Sequence, residues 1–485
     1  MTIPSLVKDD ALDKRLYEAV ADRLEGLIGD GTLRPGDRIP SVRGLHRKWS
    51  VSVSTVLEAY RRLEDRGLIE ARPKSGYYVR ATPRALPEEP GASNPPKRAR
   101  RIRGSMAYRL MAEVNRPDLV KLGAAVPHPD LLPLDALNRL IARALREAPA
   151  LSHGYAVDSG HAPLRREIAR RMLDAGCTLS PDDVVVTSGA QEAVYLSLRA
   201  LTRPGDTVVV ESPAYYGHLE TLEALELKAL AVRTHPREGI DLDALDEALG
   251  ATRVAAVALV TSFSNPLGSV MSDAKKRALL DVLEAHDVPL VEDDVYGELP
   301  FEGPRPHAVK AFDRHGRVLY CSSFSKTISP GVRIGWCAPG RALDTIARLK
   351  LVANTASPAA PQLAIAGFLE GGGYDRHLRR LRATYRDHVR RMTAQIALTF
   401  PAGTRATRPA GGHLLWVEMP RGVDSTILYE AAARENISIA PGPMFSANGR
   451  YAHCMRLNAG LPWSQRLEDA VATLGRLAQR QLRGR

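Results

Sequence analysis

The chain predicts two differently built parts: a small three-helix unit closed by a β-hairpin, and a large α/β domain with a mixed, mostly parallel sheet and a smaller α+β carboxyl-terminal subdomain. Three observations carry this reading. Apolar residues recur at helical spacing behind serine caps before residue 66, then alternate around a Lys74-Ser75-Gly76 turn. From about residue 116, short β-rich runs alternate with amphipathic stretches, the rhythm of strand-helix-strand units. Between them, residues 81–115 are rich in Pro, Ala and Arg without any period. The expected boundaries are therefore 12–80 for the small unit, 81–115 for a flexible basic linker and 116–485 for the large domain.

In the small unit, "KRLYEAVADRLEGLIG" places Leu16, Ala19, Val20, Leu24, Leu27 and Ile28 at helical spacing, and Gly29, Gly31 and Pro35 stop it. Ser41 reads as the N-cap of a short second helix and Ser52 as that of a third running to about Asp65, with Val56, Ala59, Tyr60 and Leu63 inward. "GLIEARPKSGYYVR" is a hairpin signature. Three helices and a hairpin make a winged helix-turn-helix, whose third helix enters a major groove; a small helical interaction module is the other reading. The segments "LRPGDRIPSVR" and "STVLEAYRRLEDRGLIEARPKSGYYV", with the spacing between them, resemble the N-terminal domain of GntR-type bacterial regulators. That resemblance implies DNA contacts from Ser41, Arg43, Ser52, Ser54 and Thr55, and from a wing tip of Lys74, Ser75 and Gly76. The group often carries an arginine early in the third helix, where this chain has Val53, so fewer polar base contacts are expected.

The chain has 67 Lys and Arg against 55 Asp and Glu, a formal charge of +12, which suits a polyanionic partner. The run "KRARRIR" in the linker can touch phosphates, or be solvated without a role. Four scattered cysteines suggest neither a disulfide framework nor a C-x-x-C zinc site, and no histidine pair has metal-ligand spacing, so no metal is expected; His153, His161, His218, His377 and His413 are read as structural or as supports of neighbouring groups. No apolar run approaches the roughly 20 residues of a membrane span, and the first residues lack a basic flank followed by an apolar stretch. Both point to the cytoplasm.

In the large domain each β-rich run ends in a turn holding one unusual polar group, and ligands of such sheets gather at strand ends. After "VVVTSGAQ", Ser188, Gly189, Ala190 and Gln191 open a helix whose free backbone N–H groups suit a phosphate. Tyr215 in "ESPAYYG" offers a ring to stack on something flat, and Asn265 ends the run "RVAAVALVTSFSN". In "EDDVYGEL", Asp293 lies three residues before Tyr296, giving a carboxylate and a phenol to one pocket. In "SSFSKTISPGVRIGW", a desolvated Lys326 has a lowered pKa and can add to an aldehyde, while Ser323, Ser325 and Arg333 supply donors for a phosphate. Together these groups describe a phosphorylated pyridine aldehyde.

The same motifs, in this order and at these separations, resemble fold-type I pyridoxal-phosphate (PLP)-dependent aminotransferases over about residues 116–485. The resemblance implies pyridoxal 5'-phosphate as cofactor, with Lys326 its covalent lysine and Asp293 the partner of its ring nitrogen. Asn265 and Tyr296 would hold the ring 3-oxygen, Tyr215 would stack, and Ser188, Gly189, Ala190, Gln191, Ser323, Ser325 and Arg333 would hold the phosphate. Arg456, in "CMRLNAG", would grip the carboxylate of an amino acid effector or substrate. Tyr155 would reach the phosphate of a partner subunit, implying a homodimer, although "AVDSGH" stands where an Asp-Pro-x-Gly turn is common. A GntR-like reader joined to such a domain resembles the MocR group of bacterial regulators. This implies a transcription regulator that binds an operator in double-stranded DNA and senses an amino compound through its cofactor. An active aminotransferase with an ancillary DNA-binding domain, or a structural dimerisation module, remains open at this level.

Overall fold

In the computed structural model the described residues are 16–72, 75–80, 85–102, 106–157 and 159–484. The chain divides into two compact units, the first comprising Met1–Leu86 with Thr393–Leu398 and the second Pro87–Met392 with Thr399–Arg485; each is described by itself.

The first unit contains α1 (Leu16–Gly29), α2 (Val42–Trp49) and α3 (Val53–Asp65), then β1 (Ile69–Arg72) paired antiparallel with β2 (Gly76–Val79), Ile69 opposite Val79. Both serine caps form: Ser41 Oγ accepts from the Gly44 N–H at 3.1 Å, and Ser52 Oγ from the Thr55 N–H at 3.0 Å. Val20, Leu24, Leu45, Val56, Tyr60, Leu63, Ile69 and Val79 close one core. Inside it the Tyr60 hydroxyl donates to Pro40 O, so the phenol is buried without being orphaned. The inward stripe of α1 differs from expectation: Leu16 and Ala19 face solvent and Ala21 is buried, because α3 packs along the Val20–Ala21–Leu24 side. Lys74 lies outside the described residues.

The second unit is built on a nine-stranded sheet. Its strands are β3 (Arg100–Arg101), β4 (Val185–Thr187), β5 (Thr207–Ser212), β6 (Lys228–His235), β7 (Ala256–Val260), β8 (Leu290–Asp293), β9 (Val318–Ser323) and β10 (Gly335–Ala338), in the spatial order β3-β6-β5-β7-β8-β9-β10-β4, with a short ninth strand, Gly239–Ile240, on β6. β6, β5, β7, β8 and β9 run parallel; β10 is antiparallel to both its neighbours, which returns β4 to the common direction. β5, β7, β8 and β9 are buried along their whole length, as a parallel sheet covered on both faces requires. The carboxyl ends of β4, β5, β7, β8 and β9 therefore lie along one edge, where Ser188, Tyr215, Asn265, Asp293 and Lys326 follow. A four-stranded antiparallel sheet, with Leu414–Glu418 beside Cys454–Asn458 and Trp416 opposite Arg456, forms the smaller layer.

The stretch expected to be a flexible linker is corrected in part. Residues 87–102 run along the second unit: the Ser93 N–H donates to Thr234 O and Ser93 Oγ accepts from the Thr234 N–H, the Arg237 guanidinium pairs with Glu89, Lys97 pairs with Glu247, and β3 adds antiparallel to the edge strand β6. An open sheet edge invites a further strand, and backbone pairing needs no hydrophobic period that the sequence could display. Ala107–Ala112 is helical.

Candidate functional site

Lys326 lies just past β9. Its half-buried ammonium donates to Ala125 O at 2.7 Å, and burial, followed by the charge of Arg456, pushes its pKa down to about 8. The residue after it is clamped from behind: Thr327 Oγ1 accepts from the Tyr374 hydroxyl at 2.9 Å, and His377 Nε2 reaches Thr327 O at 2.7 Å. The lysine thus stands on a turn fixed on its far side.

Asp293 ends β8 and is buried. One carboxylate oxygen, Oδ2, is 3.2 Å from His218 Nε2; the other, Oδ1, has no hydrogen-bond partner among the described residues. A buried carboxylate oxygen without a partner is costly, so the pocket is shaped to supply a donor from outside the chain. The bend after β8 brings Tyr296 beside Asp293; its phenol is held neutral by burial and bonded to Asn265. Asn265 in turn accepts from Arg456 Nη1 at 3.0 Å. Arg456 is fully buried, gives Nη2 to Gly123 O, lies over the rings of Tyr216 and Phe445 at 5.6 and 5.2 Å, and keeps Nε unpartnered. A buried guanidinium with no carboxylate in contact is prepared for an anion. Tyr215 caps the helix Tyr216–Ala224 and packs edge-on to His218, with Asp293, Tyr296 and Arg456 all close enough to act on its phenol.

At the end of β4, Gly189 has φ +86°, and a Cβ there would lie 2.4 Å from Arg333 Nη2, so only glycine lets the guanidinium cross this turn. Arg333 Nη2 donates to Ser188 O at 2.8 Å. Ser323 and Ser325 are buried beside it in sequence, Ser323 Oγ accepting from the Ser325 N–H at 3.3 Å. The helix Ala190–Leu201 starts here and points its first N–H groups into the turn. Two expected phosphate ligands are committed elsewhere: the Ser188 N–H donates to Glu192 Oε2 at 2.6 Å, and Gln191 Nε2 donates to Gly217 O and Thr221 Oγ1 at 3.1 and 2.7 Å. Gly189, Ala190, Ser323, Ser325 and Arg333 are not so committed. Tyr155 does not join the cluster within the chain and stands 81 % exposed.

Sequence reasoning assigned no site role to the Gly123 and Ala125 carbonyls or to His413. Backbone carbonyls carry no residue signature. His413 is buried between Asn458, Tyr296 and Tyr385, with its pKa pushed down to about 3 by burial and by the Lys326 charge, and so stays neutral. His218 had a usable signal, since it sits three residues after Tyr215, one helical turn along.

In the first unit the outward side of α3 shows Ser54, Val53 and Leu57, the latter two 42 % and 40 % exposed, and Arg43 is exposed on α2. Ser41 and Ser52, expected at DNA, cap helices; Ser52 Oγ also lies 2.8 Å from Ser54 Oγ and 2.7 Å from Thr55 Oγ1. At the wing, Ser75 Oγ is 2.6 Å from the Tyr78 hydroxyl, and Gly76 takes φ +109°.

Comparison with known proteins follows the same division. Residues 118–474 match the model of aminotransferase class I and II, and residues 16–79 that of bacterial regulatory proteins, gntR family. Two uncharacterized HTH-type transcriptional regulators of Escherichia coli align end to end: YdcR is 41 % identical and YjiR 38 %, each over 96 % of this chain and 99 % of the relative. The fold of Thermus thermophilus LysN, an alpha-aminoadipate aminotransferase solved with N-(5'-phosphopyridoxyl)-L-leucine, superposes with a TM-score of 0.74 at 30 % identity, covering 79 % of this chain and 97 % of that one.

Proposed function

Because this chain belongs to the aminotransferase class I and II family and, along nearly its whole length, to the HTH-type transcriptional regulators that carry a gntR-family domain before it, we propose that it regulates transcription by binding an operator in double-stranded DNA and that its large domain holds pyridoxal 5'-phosphate and senses an amino acid or amine. The observation that carries the cofactor reading is the unpartnered buried oxygen of Asp293 beside a lysine whose pKa is pushed down to about 8. A protonated ring nitrogen is the donor that this oxygen lacks, and the glycine turn crossed by Arg333 suits a phosphate.

The residues then have distinct tasks. Asp293, oriented by His218, would hold the ring nitrogen protonated, and the cofactor would supply an electron sink there. Tyr215 covers one face of the ring, Tyr296 and Asn265 donate to its oxygen, and Gly189, Ala190, Ser323, Ser325 and Arg333 hold the phosphate. Lys326 Nζ carries the covalent attachment and moves a proton, a role that needs a substantial neutral fraction near pH 8. Arg456 receives the carboxylate of the amino compound. Tyr155, exposed in the single chain, completes the site of a second copy in a homodimer. Domains of 12–80 and 116–485 on either side of a basic connection, in the cytoplasm, complete the reading; on it, Arg43, Ser54, Thr55 and the wing of Lys74, Ser75 and Gly76 meet DNA.

A working transaminase is the second reading, favoured by the full residue set and by the LysN likeness. One experiment separates them. The purified protein is screened with amino acids while cofactor absorbance and keto-acid release are followed together, after borohydride fixation has located the cofactor on Lys326 by mass. A spectral response without product supports sensing, and steady product supports catalysis. A colourless protein with no mass added at Lys326 removes the cofactor from both readings, and footprinting without salt-sensitive, sequence-specific protection removes the regulator.

A further inference from the structure

The chain's positive charge does not concentrate in the first unit. Four helices whose charged residues lie in the second unit, Leu134–Glu147, Ala162–Met172, Ala359–Glu370 and Gly373–Thr399, contain fourteen arginines, no lysine and six carboxylates, a surplus of eight in a chain whose total is +12. They form one face. Ala359–Glu370 packs against both Leu134–Glu147 and Ala162–Met172. Arg171 of the Ala162–Met172 helix pairs with Asp375 and lies 4.9 Å over the Tyr374 ring, which ties in the helix Gly373–Thr399.

The acids of this face are largely spent on internal pairs: Asp375 on Arg171, Glu147 on Arg143, Asp387 on Arg390 and Arg391. Arg376, Arg379 and Arg380, at positions i, i+3 and i+4, share one exposed side and form no ion pair with any described residue. Arg139 and Arg146 are likewise exposed and, with Arg143, share one side of the helix Leu134–Glu147. A solvated helix face of an ordinary domain alternates its signs; on these helices arginines outnumber carboxylates by fourteen to six, and the planar guanidinium forks match phosphate oxygens better than ammonium groups do.

We propose that this face, centred on Arg376, Arg379 and Arg380, is a second DNA-contact surface that takes backbone phosphates flanking the site read by the winged helix. It rests on the regulator reading above, and its contacts carry no sequence information. DNA is the partner it fits because the winged helix already brings a polyanion to the protein, and because the surplus charge lies on rigid helices.

The test compares the full-length, cofactor-loaded protein with its Arg376→Gln/Arg379→Gln/Arg380→Gln variant. Affinity is measured by anisotropy from 100 to 300 mM salt on two duplexes cut around the footprinted site, about 20 and about 60 base pairs long. Each lost phosphate contact flattens the dependence of log K on log salt by about 0.9. The expected result is therefore a slope flatter by roughly 2 to 3 on the long duplex and unchanged on the short one, with the cofactor spectrum and melting temperature preserved. Equal slopes for both proteins on the long duplex overturn the surface, as does an equal loss on both duplexes, which places the effect at the winged helix. Failure of the wild-type protein to bind either duplex overturns the regulator reading, and this surface with it.

Discussion

The strand-end cluster of the large unit and the recognition helix of the small one are both read as binding sites, yet they are built on opposite terms. At the strand ends, burial makes every polar atom costly, so each residue is specified by a partner or by the lack of one: Asp293 Oδ1 and Arg456 Nε have none, and Lys326 is half-neutral near pH 8. On α3, by contrast, Ser52, Ser54 and Thr55 satisfy one another, and Val53 and Leu57 offer no hydrogen bond at all. A small-ligand site concentrates its chemistry in a few buried atoms, whereas a polymer-binding surface spreads weak contacts over many exposed ones.

The largest effect expected from this contrast is total. Lys326→Ala should abolish borohydride-fixable cofactor, read as the loss of the added mass on the peptide around residue 326, while the winged helix keeps its footprint without effector. If DNA protection disappears with the lysine in the absence of any amino compound, the two regions are not separable in the way their construction implies.

Gly189→Ala should come next. The new Cβ lies 2.4 Å from Arg333 Nη2 at φ +86°, a backbone region that costs a non-glycine residue roughly 1–3 kcal/mol. That strain should appear as lower apoprotein stability in melting, and cofactor affinity, measured by equilibrium titration of the apoprotein, should weaken because the Arg333 guanidinium is displaced from the turn. Unchanged affinity would show that the phosphate is held elsewhere.

How much of this was legible follows the same physical line. Lys326, Asp293, Asn265, Tyr296 and Arg456 were readable because polar residues at the ends of buried strands need a reason to be there. The serine caps of α2 and α3 were readable because capping is local. The run 87–102 was not, because pairing of Arg100–Arg101 with β6 and of Ser93 with Thr234 goes through the backbone, which any sequence supplies. Nor were the Gly123 and Ala125 carbonyls, for the same reason. The commitment of Gln191 to Gly217 and Thr221 depends on where a helix some twenty-five residues later returns, and spacing alone holds no record of that.

The pH dependence of cofactor capture sharpens the buried side of the comparison. Only the neutral amine adds to an aldehyde. With Lys326 at about 8, the rate of capture by apoprotein should rise about tenfold per pH unit up to pH 8 and level off above it, as followed by absorbance in a stopped flow. The sign for stability follows from the same shift. An unfolded lysine stays charged to about 10.4, so between about 8 and 10 the folded chain binds fewer protons, and this group makes the apoprotein more stable as pH rises through that window. A rate still climbing past pH 10 would mean that Lys326 is an ordinary solvated lysine.

The smallest effect belongs to the exposed side. Ser52→Ala removes the acceptor of the Thr55 N–H at the start of α3, a cap worth about 1 kcal/mol. Thermal melting should show the small unit's transition lowered by several degrees, as expected for a domain of this size, with the cofactor-linked transition of the large unit unmoved. DNA affinity should fall about fivefold or less, because the hydroxyl is occupied in the cap rather than at a base. A loss of a hundredfold or more, without a change in melting, would instead assign Ser52 to direct base contact, and α3 would then read DNA through the very hydroxyls that this structure turns toward one another.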